Sequence, residues 1–189
     1  MKLHDRRRAL MGRPEDKILF EWVPADGMDT ITIGGTNPNY QLMDDAIRIY
    51  TQLSWASTRI RPVSIVSWDG DFTVEVEYKN LTGNKIGCYA MSRSISKLNV
   101  KAGVSKESGK FVVTGDSTKN QSITVPMSGK IVLQIDRTAG TGTGILGNVS
   151  KTVGIPVELN STIGFVFIDG NNTTDYVDIT HIKVSKGIV

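Results

Sequence analysis

Apolar and polar residues alternate along much of the chain with the period of a β-strand. In the clearest segment, residues 72–78, the apolar positions are Phe72, Val74, Val76 and Tyr78. Because successive side chains of a strand point to opposite faces, this segment is predicted to bury one face and leave the other in water. Segments of similar character predict further strands at residues 18–23, 30–33, 46–51, 60–66, 86–91, 111–114, 123–125, 130–136, 163–168 and 176–184.

Turn-forming residues separate the predicted strands, for example Asp69 with Gly70 and the segment 82–84. No segment after residue 17 keeps a helical period over the length of a helix. About ten short strands joined by turns are typical of an all-β sandwich. We therefore expect residues 18–189 to form one jelly-roll β-sandwich domain, preceded by a short arm at residues 1–17.

Composition supports a globular domain of this size. The chain has 189 residues, of which 39% are hydrophobic and 22% charged. No apolar run approaches the roughly 20 residues of a membrane-spanning helix, so we expect no membrane contact. The first residues carry charges where a signal peptide has an apolar segment, so we expect synthesis in a cytoplasm without cleavage. Cys88, the one cysteine, lies in an apolar setting and is predicted to be a buried structural thiol.

The net charge of +3 is concentrated in the arm, which holds six basic and three acidic residues, whereas the rest of the chain is neutral. Its basic residues suit nucleic-acid phosphates. Apolar residues between them favour docking on a protein, since phosphate binding needs no apolar edge. A solvated terminus is the remaining alternative. We expect protein docking and no nucleic-acid partner, with the docking residues Leu3, Arg6, Arg7, Arg8, Leu10, Met11 and Arg13.

A glycine-rich stretch at residues 139–147 contains the spacing of a dinucleotide-binding loop at Gly142, Gly144 and Gly147. That motif needs a following helix to hold the pyrophosphate. The next residues are β-branched and are interrupted by Gly154 and Pro156. We therefore interpret the stretch as a flexible surface loop.

Residues for catalysis are few. The only histidines are His4 and His181, too few for a multi-histidine metal site. Glu75 and Glu77 stand two positions apart on one strand, so they share a face and do not flank a substrate. We expect no enzyme activity and no catalytic residue.

Aromatic residues suggest carbohydrate binding instead. Flat rings stack on sugars, and nearby carboxylates accept hydrogen bonds from hydroxyls. Packing in the core or at its rim is the competing interpretation for each tryptophan. The candidates for glycan binding are Trp55, Trp68, Asp69, Asp71 and Tyr176.

The body resembles the galactose-binding-like jelly roll of carbohydrate-binding modules. The resemblance rests on three segments: 31–34 followed by 45–50, 72–78, and 175–184. In that family an aspartate of the closing strand helps to hold a structural calcium ion. The resemblance implies that role for Asp178, although no other calcium ligand can be matched.

The arm resembles the opening of tail and other virion proteins of bacteriophages, through the segment 6–11. This resemblance implies a structural protein of the virion, made in the host cytoplasm. It would be a decoration, head-fibre or tail-associated subunit that docks on other virion proteins through the arm and contacts host-surface carbohydrate. Such proteins are commonly homo-oligomers. The alternative is a free carbohydrate-binding module that accompanies a polysaccharide-active enzyme.

Overall fold

The protein is described by a computed structural model, which places residues 18–35, 38–50, 58–64, 68–83, 85–91, 99–155, 166–169 and 174–189. Two antiparallel sheets pack face to face, so the predicted all-β sandwich is confirmed. The strands are β1 (Ile18–Trp22), β2 (Ile31–Gly34), β3 (Asn39–Met43), β4 (Ala46–Tyr50), β5 (Thr58–Pro62), β6 (Phe72–Lys79), β7 (Lys85–Met91), β8 (Asn99–Ser105), β9 (Lys110–Thr114), β10 (Thr118–Ser122), β11 (Gly129–Asp136), β12 (Thr141–Leu146), β13 (Val149–Gly154), β14 (Val166–Asp169) and β15 (Tyr176–Lys186).

Sheet A has the strand order β13-β12-β11-β6-β15-β4-β3. Its longest strand is β15, which pairs with β6 along one edge. Along its other edge β15 pairs with β4 near its start and with β1 near its end, so these two short strands lie end to end. Sheet B has the order β10-β9-β8-β7-β14-β5-β2.

The core lies between the sheets and is built from the alternating apolar positions of their inner faces. In β6 these are Phe72, Val74, Val76 and Tyr78, all at most 2% exposed. The thiol of Cys88, on sheet B, donates a hydrogen bond to a backbone carbonyl of β11 in sheet A, at 3.4 Å. The predicted burial of this cysteine is thereby confirmed.

The interpretation of residues 139–147 as a flexible loop is wrong. This stretch forms β12, which pairs with β11 on one side and β13 on the other. Gly142 and Gly144 occupy its inner positions because sheet B lies too close for larger residues. A Cβ atom would lie 2.6 Å from Val100 at the first glycine and 2.5 Å from Val113 at the second.

The strand count and several strand assignments also differ from expectation. The described residues contain fifteen strands, against about ten predicted. The predicted strand at residues 123–125 is absent, since this segment is irregular and the Ile123 amide donates to the Gly109 carbonyl. Strands β3, β8, β10 and β13 were not predicted either, and β10 is exposed at every position and so shows no alternation.

The predicted docking arm at residues 1–17 and the candidate Trp55 lie outside the described residues. None of the helices in the described ranges is long and apolar enough to cross a membrane.

Candidate functional site

Aromatic and polar side chains lie together on the outer face of sheet A, at the end where β15 begins. Asn39 pairs with Tyr50, and Tyr50 in turn pairs with Tyr176, which forms one row across three strands. The next row begins with Gln41 beside Arg48. Since the intervening residues of β4 and β15 are buried in the core, these five side chains face outward. We call this set, Asn39, Gln41, Arg48, Tyr50 and Tyr176, the tyrosine platform.

Arg48 is fixed in the platform by a bidentate ion pair with Asp178. Its Nε and Nη2 atoms donate to the two carboxylate oxygens at 2.8 and 2.9 Å. Asn80 Nδ2 donates a third hydrogen bond to the same carboxylate at 2.8 Å. The Asp178 side chain is 1% exposed, whereas the Arg48 side chain is 24% exposed. The aspartate is thus the buried support, and the guanidinium is the part that solvent reaches.

The charges of this pair stabilise each other. Burial alone would raise the pKa of Asp178, but the hydrogen bonds from Arg48 and Asn80 outweigh it and hold that pKa below its ordinary value. The hydrogen bond to Asp178 raises the pKa of Arg48. The guanidinium is therefore a permanent cation at the surface.

Two tyrosine rings flank the arginine. The Tyr50 and Tyr176 ring centroids are 6.0 Å apart with the planes tilted by 55°. The Arg48 guanidinium carbon lies 3.9 Å from the Tyr176 centroid, within cation–π range. The exposed amides of Asn39 and Gln41 border this aromatic pair. The platform offers apolar ring surface, two amides and a fixed cation, which together suit the C–H face and hydroxyls of a sugar.

The candidates predicted around Trp68 do not join the platform. Asp71 precedes β6 at Phe72, whereas Asp178 pairs with Lys79 at the other end of that strand. The eight residues of β6 place the two regions roughly 25 Å apart. Tyr176 and the Trp68 segment therefore cannot share one small ligand.

Trp68 and Asp71 serve the structure of their turn. The Trp68 indole donates to the Asp71 carbonyl at 3.0 Å, and its ring faces the Lys186 ammonium at 4.6 Å. The Asp71 carboxylate accepts the Arg137 amide at 2.8 Å. Asp69 is exposed beside them. These bonds favour the packing interpretation of Trp68, which also contacts the core.

Asp178 does not fit the calcium role that the resemblance implied. Calcium takes six to eight oxygen ligands, usually with several carboxylates. Here a guanidinium occupies both oxygens, and the carboxylate is buried. Within the described ranges no three acidic, histidine or cysteine side chains are grouped as metal ligands would be. An ion at Asp178 would have to displace Arg48, which the ion pair opposes.

Carboxylates further along the outer face of sheet A are held in ion pairs. Lys130 Nζ lies 3.0 Å from Glu77 and 3.5 Å from Glu75. His181 bridges Glu21 at 2.8 Å and Glu77 at 3.7 Å. The hydrogen bond from Lys130 is the largest cause of the lowered pKa of Glu77. Both glutamates lie on one face, as predicted, and the pKa of Glu77 is lowered, whereas a general acid needs a raised one.

A groove of about 400 Å³ lies beside the β12–β13 hairpin. Its lining is mainly apolar, with Ile123, Pro126, Leu146 and Val149 among the residues that border it. Its described lining residues include no aromatic ring and no carboxylate, and they offer less for sugar recognition than the platform does.

Comparison with known proteins identifies the fold. No family model matches the chain, and no curated protein sequence matches it. Solved structures do match. A Bacillus subtilis protein of unknown function with a galectin-like fold has a TM-score of 0.65 at 9% identity, over 90% of this chain and 96% of that one. The Emp47p carbohydrate recognition domain has a TM-score of 0.63 at 12% identity, over 94% and 100%.

The carbohydrate-binding module CBM66 from Bacillus subtilis aligns at a TM-score of 0.58 and 12% identity, over 84% of this chain and 98% of that one. The chain also aligns with a sialidase, of which it spans only 19%. The fold is a lectin-like jelly roll. At these identities the likeness shows the fold alone. It confirms a jelly roll of the kind found in carbohydrate-binding modules and lectins, whereas the galactose-binding-like type in particular stays a prediction.

Sequence reasoning missed most of the platform. Tyr176 was a candidate, but Arg48, Tyr50, Asn39 and Gln41 were not. Arg48 and Tyr50 alternate with isoleucines that are buried in the structure, so both lie on an outer face. This alternation is visible in the sequence and could have identified them as outward-facing neighbours. Their meeting with Tyr176 depends on strand pairing between distant parts of the chain.

Proposed function

We propose that the protein is a non-enzymatic carbohydrate-binding module whose ligand lies on the tyrosine platform. Two of the aligned structures are a carbohydrate-binding module and a carbohydrate recognition domain by name, which supports this class of function. The single observation that carries the proposal is the pairing of two outward tyrosines with a fixed, partly exposed arginine.

The roles of the platform residues follow from their chemistry. A sugar ring packs its C–H face on the tyrosine rings, as amphipathic aromatic side chains allow. The Arg48 guanidinium and the amides of Asn39 and Gln41 bond the ring hydroxyls at its edge. Asp178 does not touch the ligand and holds Arg48 in position.

A glycan array followed by calorimetry with a bound glycan tests the proposal. Tyr176→Ala and Gln41→Ala should each weaken binding, with a loss of about tenfold or more for the tyrosine. Tyr40→Ala is the matched control, because Tyr40 is 42% exposed on β3 but alternates with the platform residues. Equal affinities for all three variants and the parent, with unchanged melting temperatures, would refute the platform as the site.

The second candidate function is attachment to a bacteriophage particle through the arm. The observation that favours it is the confinement of the whole net charge to residues 1–17. Deleting residues 1–16 should leave a folded body, judged by circular dichroism, that no longer joins the particle. Normal incorporation of the truncated protein would contradict this role. Homo-oligomer formation belongs to the same proposal and is measured by sedimentation of the full chain.

A further inference from the structure

The outer face of sheet B carries a second group of aromatic and charged side chains. Arg59 and Arg61 lie on β5, Phe167 on β14, Tyr89 on β7 and Lys101 on β8. All five alternate with residues buried in the core, so they face away from sheet A. We call this set the basic aromatic face.

Two glycines make room for Phe167 at the centre of this face. Phe167 pairs with Gly87, and Gly87 pairs with Gly103 on the next strand. A Cβ atom at Gly87 would lie 2.6 Å from the Phe167 ring, and one at Gly103 would lie 2.9 Å from it. The Phe167 ring therefore packs directly on the backbone of the two glycines, in space that a side chain at either position would occupy. Phe167 remains partly exposed.

Three cations surround the aromatic rings. Lys101 Nζ lies 5.6 Å from the Phe167 centroid, and the Arg59 guanidinium carbon lies 5.8 Å from the Tyr89 centroid. Arg61 Nε donates to the Tyr89 hydroxyl at 3.2 Å. Tyr89 is 2% exposed, so it positions the two arginines and is not itself a contact surface. Its ring lies 6.4 Å from that of Phe167.

The electrostatics of the two outer faces differ. On sheet A, Arg48, Lys79 and Lys130 each form an ion pair with a carboxylate. The charged residues at the outer positions of β5, β7 and β8 are all basic: Arg59, Arg61, Lys85 and Lys101. The acidic residue at an outer position of β14, Asp169, stands beside Lys85 in the register, which leaves Arg59, Arg61 and Lys101 as the cations around the rings. Within the part of the chain that the structure describes, Arg59 and Lys101 lie against aromatic rings. This face therefore favours an anionic ligand.

We propose that the basic aromatic face binds an acidic saccharide, with a sugar ring on Phe167 and its carboxylate or sulfate between Lys101 and the arginines. Guanidinium groups bind such anions through paired hydrogen bonds. Nucleic acid is disfavoured, because it is held by a longer track of phosphate contacts than three cations around one accessible ring provide. The arm at residues 1–17 is not expected to occupy this face, because both are positively charged and repel each other. The site is separate from the tyrosine platform and does not depend on it.

The full chain is tested for binding to polygalacturonate, alginate, heparin and polysialic acid by affinity electrophoresis and calorimetry. Methyl-esterified polygalacturonate presents the same ring without its charge, and poly(dT) presents phosphate and bases. At least one acidic polysaccharide should bind, with affinity that falls as salt rises. Binding of the methyl ester as tightly as the acid, or of poly(dT) more tightly than every polysaccharide, would overturn the proposal. So would the absence of binding to all four.

Two variants assign the binding to this face. Arg59→Gln with Lys101→Gln should weaken acidic polysaccharide binding by about tenfold or more, because two anchoring cations are removed. Phe167→Leu keeps an apolar side chain over the glycines and should weaken binding through loss of the flat ring. Lys119→Gln with Lys183→Gln removes the same charge elsewhere and should retain binding.

If the control variant with both Lys119→Gln and Lys183→Gln lost as much affinity for acidic polysaccharide, the binding would be nonspecific charge attraction, and the proposed site would be refuted. Tyr176→Ala, which tests the tyrosine platform, should leave binding of acidic polysaccharide unchanged. The two proposals can therefore fail separately.

Discussion

Replacing Arg48 with methionine is expected to destabilise the protein by about 3 kcal/mol at pH 7. The change leaves the Asp178 carboxylate buried, with a side chain 1% exposed and with Asn80 as its remaining side-chain donor. Removing one partner of a buried ion pair costs about 3–5 kcal/mol. The low end applies because the Arg48 side chain is 24% exposed, so water can enter where the guanidinium was.

The pH dependence of this loss has a defined sign. The pKa of Asp178 is lowered in the folded protein. The contribution of this carboxylate to the free energy of unfolding is therefore fully present at pH values above the ordinary pKa of an aspartate, and it is lost as pH falls through the lowered pKa. The gap between parent and Arg48→Met should therefore be largest near neutrality and shrink below about pH 4. A double variant, Arg48→Met with Asp178→Leu, leaves no unpaired charge and should recover to within about 1 kcal/mol of the parent.

Urea unfolding followed by tryptophan fluorescence measures these differences, with circular dichroism to confirm that each variant is folded. A cost below about 1 kcal/mol for Arg48→Met, which is ordinary for a surface ion pair, would refute the assignment of a buried pair. A double variant less stable than Arg48→Met would refute the charge argument as well.

Four further outcomes are expected from the core and from sheet A. Burial raises the pKa of the Cys88 thiol, so a disulfide reagent should modify it only in the unfolded protein; rapid labelling of the native state would contradict this. Burial raises the pKa of Tyr78 to about 12, so the free energy of unfolding should fall as pH rises above about 10, and absorbance titration should detect late ionisation that is lost in Tyr78→Phe. Glu77→Gln should cost up to about 1 kcal/mol at pH 7. The cost should vanish in acid, because the Lys130 hydrogen bond lowers the pKa of that carboxyl, and urea unfolding at several pH values measures it. Gly144→Ala should lower the free energy of unfolding by about 1–3 kcal/mol in the same assay, because the added methyl group overpacks the core. An unchanged free energy of unfolding would show that sheet B can move to accommodate it.

Strand positions, and with them the all-β fold class, were predicted well where one face of a strand is exposed to solvent and the other is buried. Strand β6 shows that pattern from Val74 onward, whereas Thr73 on its outer face is only 1% exposed, and the predicted bounds of the strand differ from the observed ones by one residue. Strand β12 was missed because glycine has no side chain to show which face is buried. Its glycines alternate with Thr141, Thr143 and Ile145, so the period of two was present in the sequence.

The candidate site was less predictable. Tyr176 could be proposed as an outward aromatic residue, and its role in glycan binding stays a prediction. Arg48 and Asp178 are 130 positions apart, and only the register of β4 and β15 brings them together. The charge partner of Asp178 could not be identified without that register. The calcium role was therefore assigned to a carboxylate that an arginine already neutralises.

The layout of β15 has a mechanical consequence. Tyr176 begins the strand, whereas Ser185, near its end, pairs with Ile18, where β1 leaves the arm. Nine steps of about 3.3 Å separate these two points by roughly 30 Å. If a surface glycan pulled at one end while the arm was tethered at the other, the force would run lengthwise along the strand. The hydrogen bonds between β1 and β15 would then be loaded together in shear, a geometry in which they cannot be opened one at a time.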